Sequence, residues 1–159
     1  MQFANIIAPN RIECKVAASS KKRTLEHISH LIGDELADVE QAEVFESLIA
    51  REKLGSTGLG KGIAIPHGRL KSTNQTIAAF VQLEKGIDYD APDEEPVDLL
   101  CALLVPPECS DEHLQVLALL SEMFSKAEIR DKLRNANDAA TIYSILTHFS
   151  SQENREHNA

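Results

Sequence analysis

The chain has 159 residues, an ordinary apolar fraction of 43%, no tryptophan and a formal net charge of −9. That length fits one domain with a sizeable core, and the acidic balance argues against nucleic acid as the main partner. The three cysteines, Cys14, Cys101 and Cys109, are odd in number and show no C-x-x-C spacing; they read as reduced thiols of a cytoplasmic protein.

The N-terminus lacks a basic region followed by a long apolar stretch, so no signal peptide is expected. No run reaches the roughly 20 apolar residues that span a bilayer. Ile12–Val16 reads as a first strand with Ile12, Cys14 and Val16 on one face. Ser19 or Ser20 caps a helix whose stripe is Leu25, Ile28, Ile32 and Leu36, widened by Leu31. The basic Lys21, Lys22 and Arg23 sit at the unfavourable end of that helix dipole; a solvated face is the default reading and a partner contact the alternative. A second helix, from about Gln41 to Leu54, buries Val44, Phe45, Leu48 and Ile49 and ends at Gly55.

Ser56–Gly60 is irregular or a short strand, and Gly62–Pro66 a strand that brings His67 to its end. Ile77–Leu83 is a buried strand, Gly86 a turn, and residues 88–96 an acidic loop. Val97–Val105 has the near-continuous apolar character of a central strand, ended by Pro106 and Pro107. Ser110 caps a third helix with Asp111 and Glu112 in its first turn. Leu114, Leu117, Ala118 and Met123 face inward there, and Val116, Leu119 and Leu120 suggest wide burial. A short helix covers Lys126–Arg134. Asn137 or Asp138 caps the last helix, which buries Ile142, Ile145, Leu146 and Phe149. Residues 1–149 form one domain, and the polar residues 150–159 read as a frayed tail. The interleaving predicts an α/β or closely mixed α+β fold, a mixed β-sheet flanked by helices.

One stretch stands apart. Arg51–Lys71 holds five of the seven glycines and five basic residues against Glu52 alone, a +4 island that leaves −13 elsewhere. Gly55–Gly62 nearly matches the G-x-x-x-x-G-K-[ST] phosphate loop. Gly62 replaces the hydroxyl that would bind Mg²⁺, and the string follows a helix and runs into Ile63-Ala64-Ile65-Pro66. A nucleotide loop follows a strand and opens a helix, so nucleotide binding is set aside.

Of six histidines, His27 and His30 are spaced i, i+3 without a third ligand nearby and read as solvated. His148 and His157 have no chemical context. His67 lies between Pro66 and Gly68, and imidazole is a competent nucleophile toward phosphorus near neutral pH. The residues alone leave open a phosphoryl acceptor or a structural loop histidine. His113 is either a polar residue of a first helical turn or a donor to a phosphate on His67. Arg51 either suits the end of its helix dipole or delivers its guanidinium to the glycine-rich segment.

The string Arg51-Glu-Lys-Leu-Gly-Ser-Thr-Gly-Leu-Gly, followed by Gly62-Ile-Ala-Ile-Pro-His67-Gly68, resembles the IIA domains of the bacterial phosphoenolpyruvate-dependent phosphotransferase system. The type is fructose/mannitol, and the nearest branch is the nitrogen-regulatory one. The resemblance extends over nearly the whole chain, through Ser20-Lys-Lys-Arg, Phe80-Val-Gln-Leu-Glu, Pro96-Val-Asp-Leu-Leu, Ala102-Leu-Leu-Val-Pro and His113-Leu. It implies a phosphohistidine carrier with His67 phosphorylated through Nε2, and Arg51 and His113 holding the phosphoryl group. Ser56, Thr57, Gly58 and Gly68 belong to the matching loop. Arg69 stands where lysine is also common. The resemblance further implies no metal or organic cofactor and an HPr-like phosphocarrier as donor. Regulatory protein targets, in potassium or nitrogen control, are the expected output. The alternative is a IIA subunit that passes phosphate to a sugar-transport IIB.

Overall fold

A computed structural model describes residues 2–108 and 111–158. The organising strand is β6, Val97–Val105. Its neighbours are β5 (Ile77–Ile87), antiparallel to it, and two short parallel segments, β3 (Ile63–Ala64) and β4 (His67–Arg69). β1 (Ile12–Val16) extends the sheet beyond β5, in parallel, and β2 (Gly58–Gly60) pairs antiparallel with β3. The path is β1-β5-β6-β3-β2, with β4 also on β6.

Helices cover both faces, which is why β6 is apolar almost throughout. On one face Leu99, Cys101, Leu103 and Val105 pack with residues of α3 (Asp111–Phe124), α4 (Ala127–Asn135) and α5 (Ala139–Asn158). On the other, Leu100, Ala102 and Leu104 pack with α1 (Lys21–Glu35) and α2 (Gln41–Glu52). The fold is the expected mixed sheet flanked by helices. No helix of the described residues is long and apolar enough to cross a membrane.

Several local expectations change. Ile12 and Val16 do not share a face: Ile12 joins the α3–α5 side and Val16 the α1–α2 side. The cause is a bulge at Lys15, whose φ is +54°, with a register shift between Glu13 and Val16; one extra residue turns the next side chain over. The buried Gln82 holds that bulge. Its Oε1 accepts from the Lys15 N–H (3.1 Å), and its Nε2 donates to the carbonyls of Leu133 (2.8 Å) and Ala136 (2.9 Å) at the end of α4. Gly86 is not a turn but part of β5, lying so close to Pro96 that a Cβ would meet Pro96 Cβ at 2.7 Å.

Leu114, expected inside, is 63% exposed, because α3 buries Val116, Leu120, Met123 and Phe124 instead. The expected frayed tail is helical from its start. α5 runs to Asn158, and Ser150 is buried, its hydroxyl accepting from the Phe3 N–H. His27 is not simply solvated: its Nε2 pairs with the Glu13 carboxylate. Ser20 caps α1 by accepting from Arg23 N, and Asp138 accepts from Thr141 N ahead of α5. The Ser110 cap and Cys109 lie outside the described residues.

Candidate functional site

The site begins with an interruption in the sheet. β3 and β4 lie along the same edge of β6, at Leu99–Leu100 and Leu103–Val105 respectively. Between them stand Ile65 and Pro66. Pro66 has no N–H to give the ladder, so the pairing breaks there, although its carbonyl still accepts from Leu103 N (2.9 Å). His67 therefore opens a second strand rather than ending the first.

The break also places the Ile65 carbonyl 2.8 Å from His67 Nδ1. A carbonyl can only accept, so Nδ1 carries the proton and Nε2 keeps its lone pair. Burial holds the imidazole below its ordinary pKa. The Ile65 carbonyl opposes that, the Arg51 charge adds to it, and Glu52 opposes it. A lowered pKa favours the neutral ring, the form a nucleophile requires.

The next strand residue explains how α2 reaches this point. A Cβ on Gly68 would lie 2.1 Å from Ser47 Oγ and 3.1 Å from the Ser47 carbonyl carbon. Only glycine lets α2 settle this closely on β4. Ser47 Oγ then donates to the Arg69 carbonyl at 2.8 Å. Arg51 comes one turn later and donates to the Gly55 carbonyl at 2.8 Å, which turns the guanidinium across the end of its helix.

From the opposite side α3 brings His113, its ring centroid 5.4 Å from that of His67 and tilted by 52°. His113 is also held below its ordinary pKa, first by burial and then by His67 and Arg69. Its Nδ1 is buried and has no hydrogen-bond partner among the described residues. Arg69 donates to the Pro107 carbonyl (2.7 Å) and so ties the segment after β6 to the site. Ser47, Ala50, Arg51, Leu54, His67, Gly68, Arg69 and His113 line one surface pocket of about 520 Å³.

Arg51, His67, Gly68 and His113 thus come together as the sequence suggests. Ser56, Thr57 and Gly58 do not line this pocket. Ser56 Oγ donates to the Tyr89 carbonyl (2.9 Å). Thr57 is buried, with its hydroxyl on the Glu52 carboxylate. Gly58 makes room for Ala91, whose Cβ an added Cβ would meet at 2.9 Å. These three residues build the wall behind the site. Gly60, Lys61 and Gly62 form the left-handed turn between β2 and β3, with φ of +90°, +59° and +84°. Gly62 faces the Arg134 guanidinium, which holds Asp98 through both carboxylate oxygens (2.9 Å each). The missing hydroxyl of the nucleotide-loop pattern is therefore a turn requirement.

Sequence reasoning passed over Ser47 and Tyr89. Ser47 carried no motif signal of its own. Tyr89 lies in a stretch of acidic residues that reads as solvated loop, yet its ring is fully buried.

A family model described as "Phosphoenolpyruvate-dependent sugar phosphotransferase system, EIIA 2" matches residues 5–149. A nitrogen regulatory protein of Pseudomonas aeruginosa is 44% identical over 146 residues, which are 92% of this chain and 95% of that protein. The crystal structure of nitrogen regulatory protein IIA-Ntr from Neisseria meningitidis superposes with a TM-score of 0.87 at 42% identity, over 91% of this chain and 99% of that one. The IIA mannitol structure of Escherichia coli has the same fold, with a TM-score of 0.73 at 21% identity over 87% of this chain and 97% of that one.

Proposed function

The chain belongs to the phosphoenolpyruvate-dependent sugar phosphotransferase system EIIA 2 family, and we propose that it acts there as a nitrogen-regulatory phosphoryl carrier. His67 accepts a phosphoryl group from the phosphohistidine of an HPr-like carrier, and the state of His67 decides which proteins the chain binds. The observation that carries this reading is the Nδ1–Ile65 bond, which leaves Nε2 as the free nucleophile in a pocket shared with Arg51 and His113.

The Nε2 lone pair attacks phosphorus as the bond from phosphorus to the donor's ring nitrogen breaks. The leaving nitrogen keeps the electron pair. His67 has no proton to lose at Nε2, so the step needs positioning and charge stabilisation more than a base. Arg51 supplies a fork of donors for the equatorial oxygens, and His113 supplies a second imidazole beside them. Leu54, which lines the pocket and is 85% exposed, and Leu114, next to His113, offer apolar contacts to a protein donor.

Incubation with phosphoenolpyruvate, Enzyme I and the HPr-like carrier, followed by intact mass, tests the transfer. One acid-labile phosphate on the chain is expected; a phosphorylated carrier beside an unmodified chain would refute the reading. Onward transfer to a fructose or mannitol IIB would favour the sugar-transport alternative.

Regulation follows from charge. The phosphate adds about −1.5 to −2 near neutral pH, on a segment whose own formal charge is +4. Partners docking over Arg51–Lys71 read that drop in positive charge. High salt is therefore expected to narrow the affinity gap between phosphorylated and unphosphorylated chain. A gap that ignores salt would point to a steric or conformational readout instead.

A further inference from the structure

A carboxylate stands beside this phosphate site, where charge logic disfavours one. Glu52 follows Arg51 at the end of α2, with its side chain only 4% exposed. Both its oxygens are occupied: Tyr89 Oη donates at 3.0 Å, Thr57 N at 3.2 Å, Thr57 Oγ1 also binds, and Lys21 Nζ lies at 2.7 Å. Lys21 is held in turn. Its ammonium sits 4.4 Å from the centroid of the Tyr89 ring and donates to the Tyr89 carbonyl at 3.3 Å. The first residue of α1, the last of α2, the start of the glycine-rich segment and the acidic loop therefore meet at one buried ion pair.

A bare Glu52 would repel a phosphoryl group on the neighbouring strand, and a bare Lys21 would sit where the helix dipole opposes it. Together they are neutral. We propose that Lys21, acting through Glu52, is a positioning residue for phosphoryl transfer: it offsets a structural carboxylate so that the phosphate on His67 meets the Arg51 charge with less opposition. This deepens the phosphocarrier reading and rests on it. It also gives the basic Lys21 an internal role in place of a solvated or partner-binding one. Glu52 opposes Arg51 in its charge effect on the imidazole, and Lys21 is the cation paired with that carboxylate. Among the described residues, Arg51, Arg69 and His113 are the charged or titrating groups that line the pocket with His67.

The test is a charge cycle on the full chain: Lys21→Met, Glu52→Gln and the double variant. Two quantities are read, the transfer equilibrium with the phosphorylated carrier and the titration midpoint of His67 by NMR. Lys21→Met is expected to lower the equilibrium by on the order of 3- to 10-fold, the range for one uncompensated charge at a partly screened site, and to raise the midpoint. Glu52→Gln is expected to move both the opposite way, and the double variant to return both toward wild type. A purely structural pair would make both single variants worse and the double no better; that pattern overturns the proposal. Lys21→Met strands a buried carboxylate. If it fails to fold, Glu52→Gln against the double variant still gives the sign. The titration needs no donor, so a wild type that takes no phosphate would refute the carrier reading and leave this inference to be decided by the midpoints.

Discussion

His67→Ala is expected to abolish acid-labile phosphorylation of the chain, with the fold intact. His67 is half-buried at the start of β4, and among the described residues its side chain hydrogen-bonds to Ile65 of the same segment. Its removal takes little from the packing. The β4 register on β6 is set by backbone bonds and by Gly68 against Ser47, which the substitution leaves in place. Thermal unfolding should shift by no more than the roughly 1 kcal/mol typical of a partly exposed position. Intact mass after incubation with the phosphorylated carrier reads the chemistry. Equal labelling of the variant would move the acceptor elsewhere, and His113, whose ring is 5.4 Å away, would be the first residue to test.

Arg51→Ala is expected to slow transfer about 10- to 100-fold while leaving one phosphate at the end point. Loss of one preorganised donor to a developing oxyanion costs about 10²–10³ in enclosed sites; this pocket lies at the surface, and solvent screens part of the interaction. Arg51 has an internal bond to the Gly55 carbonyl at the end of α2. The alanine variant therefore also frees the helix end, and Arg51→Lys separates the two effects. Lysine keeps the charge and loses the planar fork, so transfer by Arg51→Lys should fall between wild type and Arg51→Ala. Stopped mixing with phosphorylated carrier and quench measures the rates. Wild-type rates in Arg51→Ala would reduce Arg51 to a helix-terminal cation.

The architecture was legible where one element's pattern is decided by its own burial. Val97–Val105 is apolar because both its faces are covered, and the sequence places its ends at the observed residues. Ser20 caps α1 for reasons local to Ser20. Legibility failed where a distant partner decides. Nothing in Ile12–Val16 announces that Lys15 will bulge, because the bulge is held by Gln82 from the neighbouring strand. Leu114 reads as core by spacing, yet α3 is rotated by the packing of Val116, Leu120 and Phe124.

The candidate site divides the same way. Arg51, His67, Gly68 and His113 carry a motif, and the topology brings them into one pocket. Ser56 and Thr57 carry the same motif but point their hydroxyls into the wall, because the Tyr89 carbonyl and the Glu52 carboxylate take them. That outcome was hidden because Tyr89 sits among acidic residues that conceal a buried ring.

The central claim is that the Ile65 carbonyl fixes the proton on His67 Nδ1 and so makes Nε2 the phosphoryl acceptor. Long-range ¹H–¹⁵N correlation spectra of the uniformly ¹⁵N-labelled chain, recorded before and after phosphorylation by the HPr-like carrier, distinguish the two ring nitrogens of His67 directly. The expected result is a neutral ring protonated at Nδ1 in the free chain and a phosphorus-coupled Nε2 in the product. Phosphorus on Nδ1, or a free ring protonated at Nε2, would contradict it.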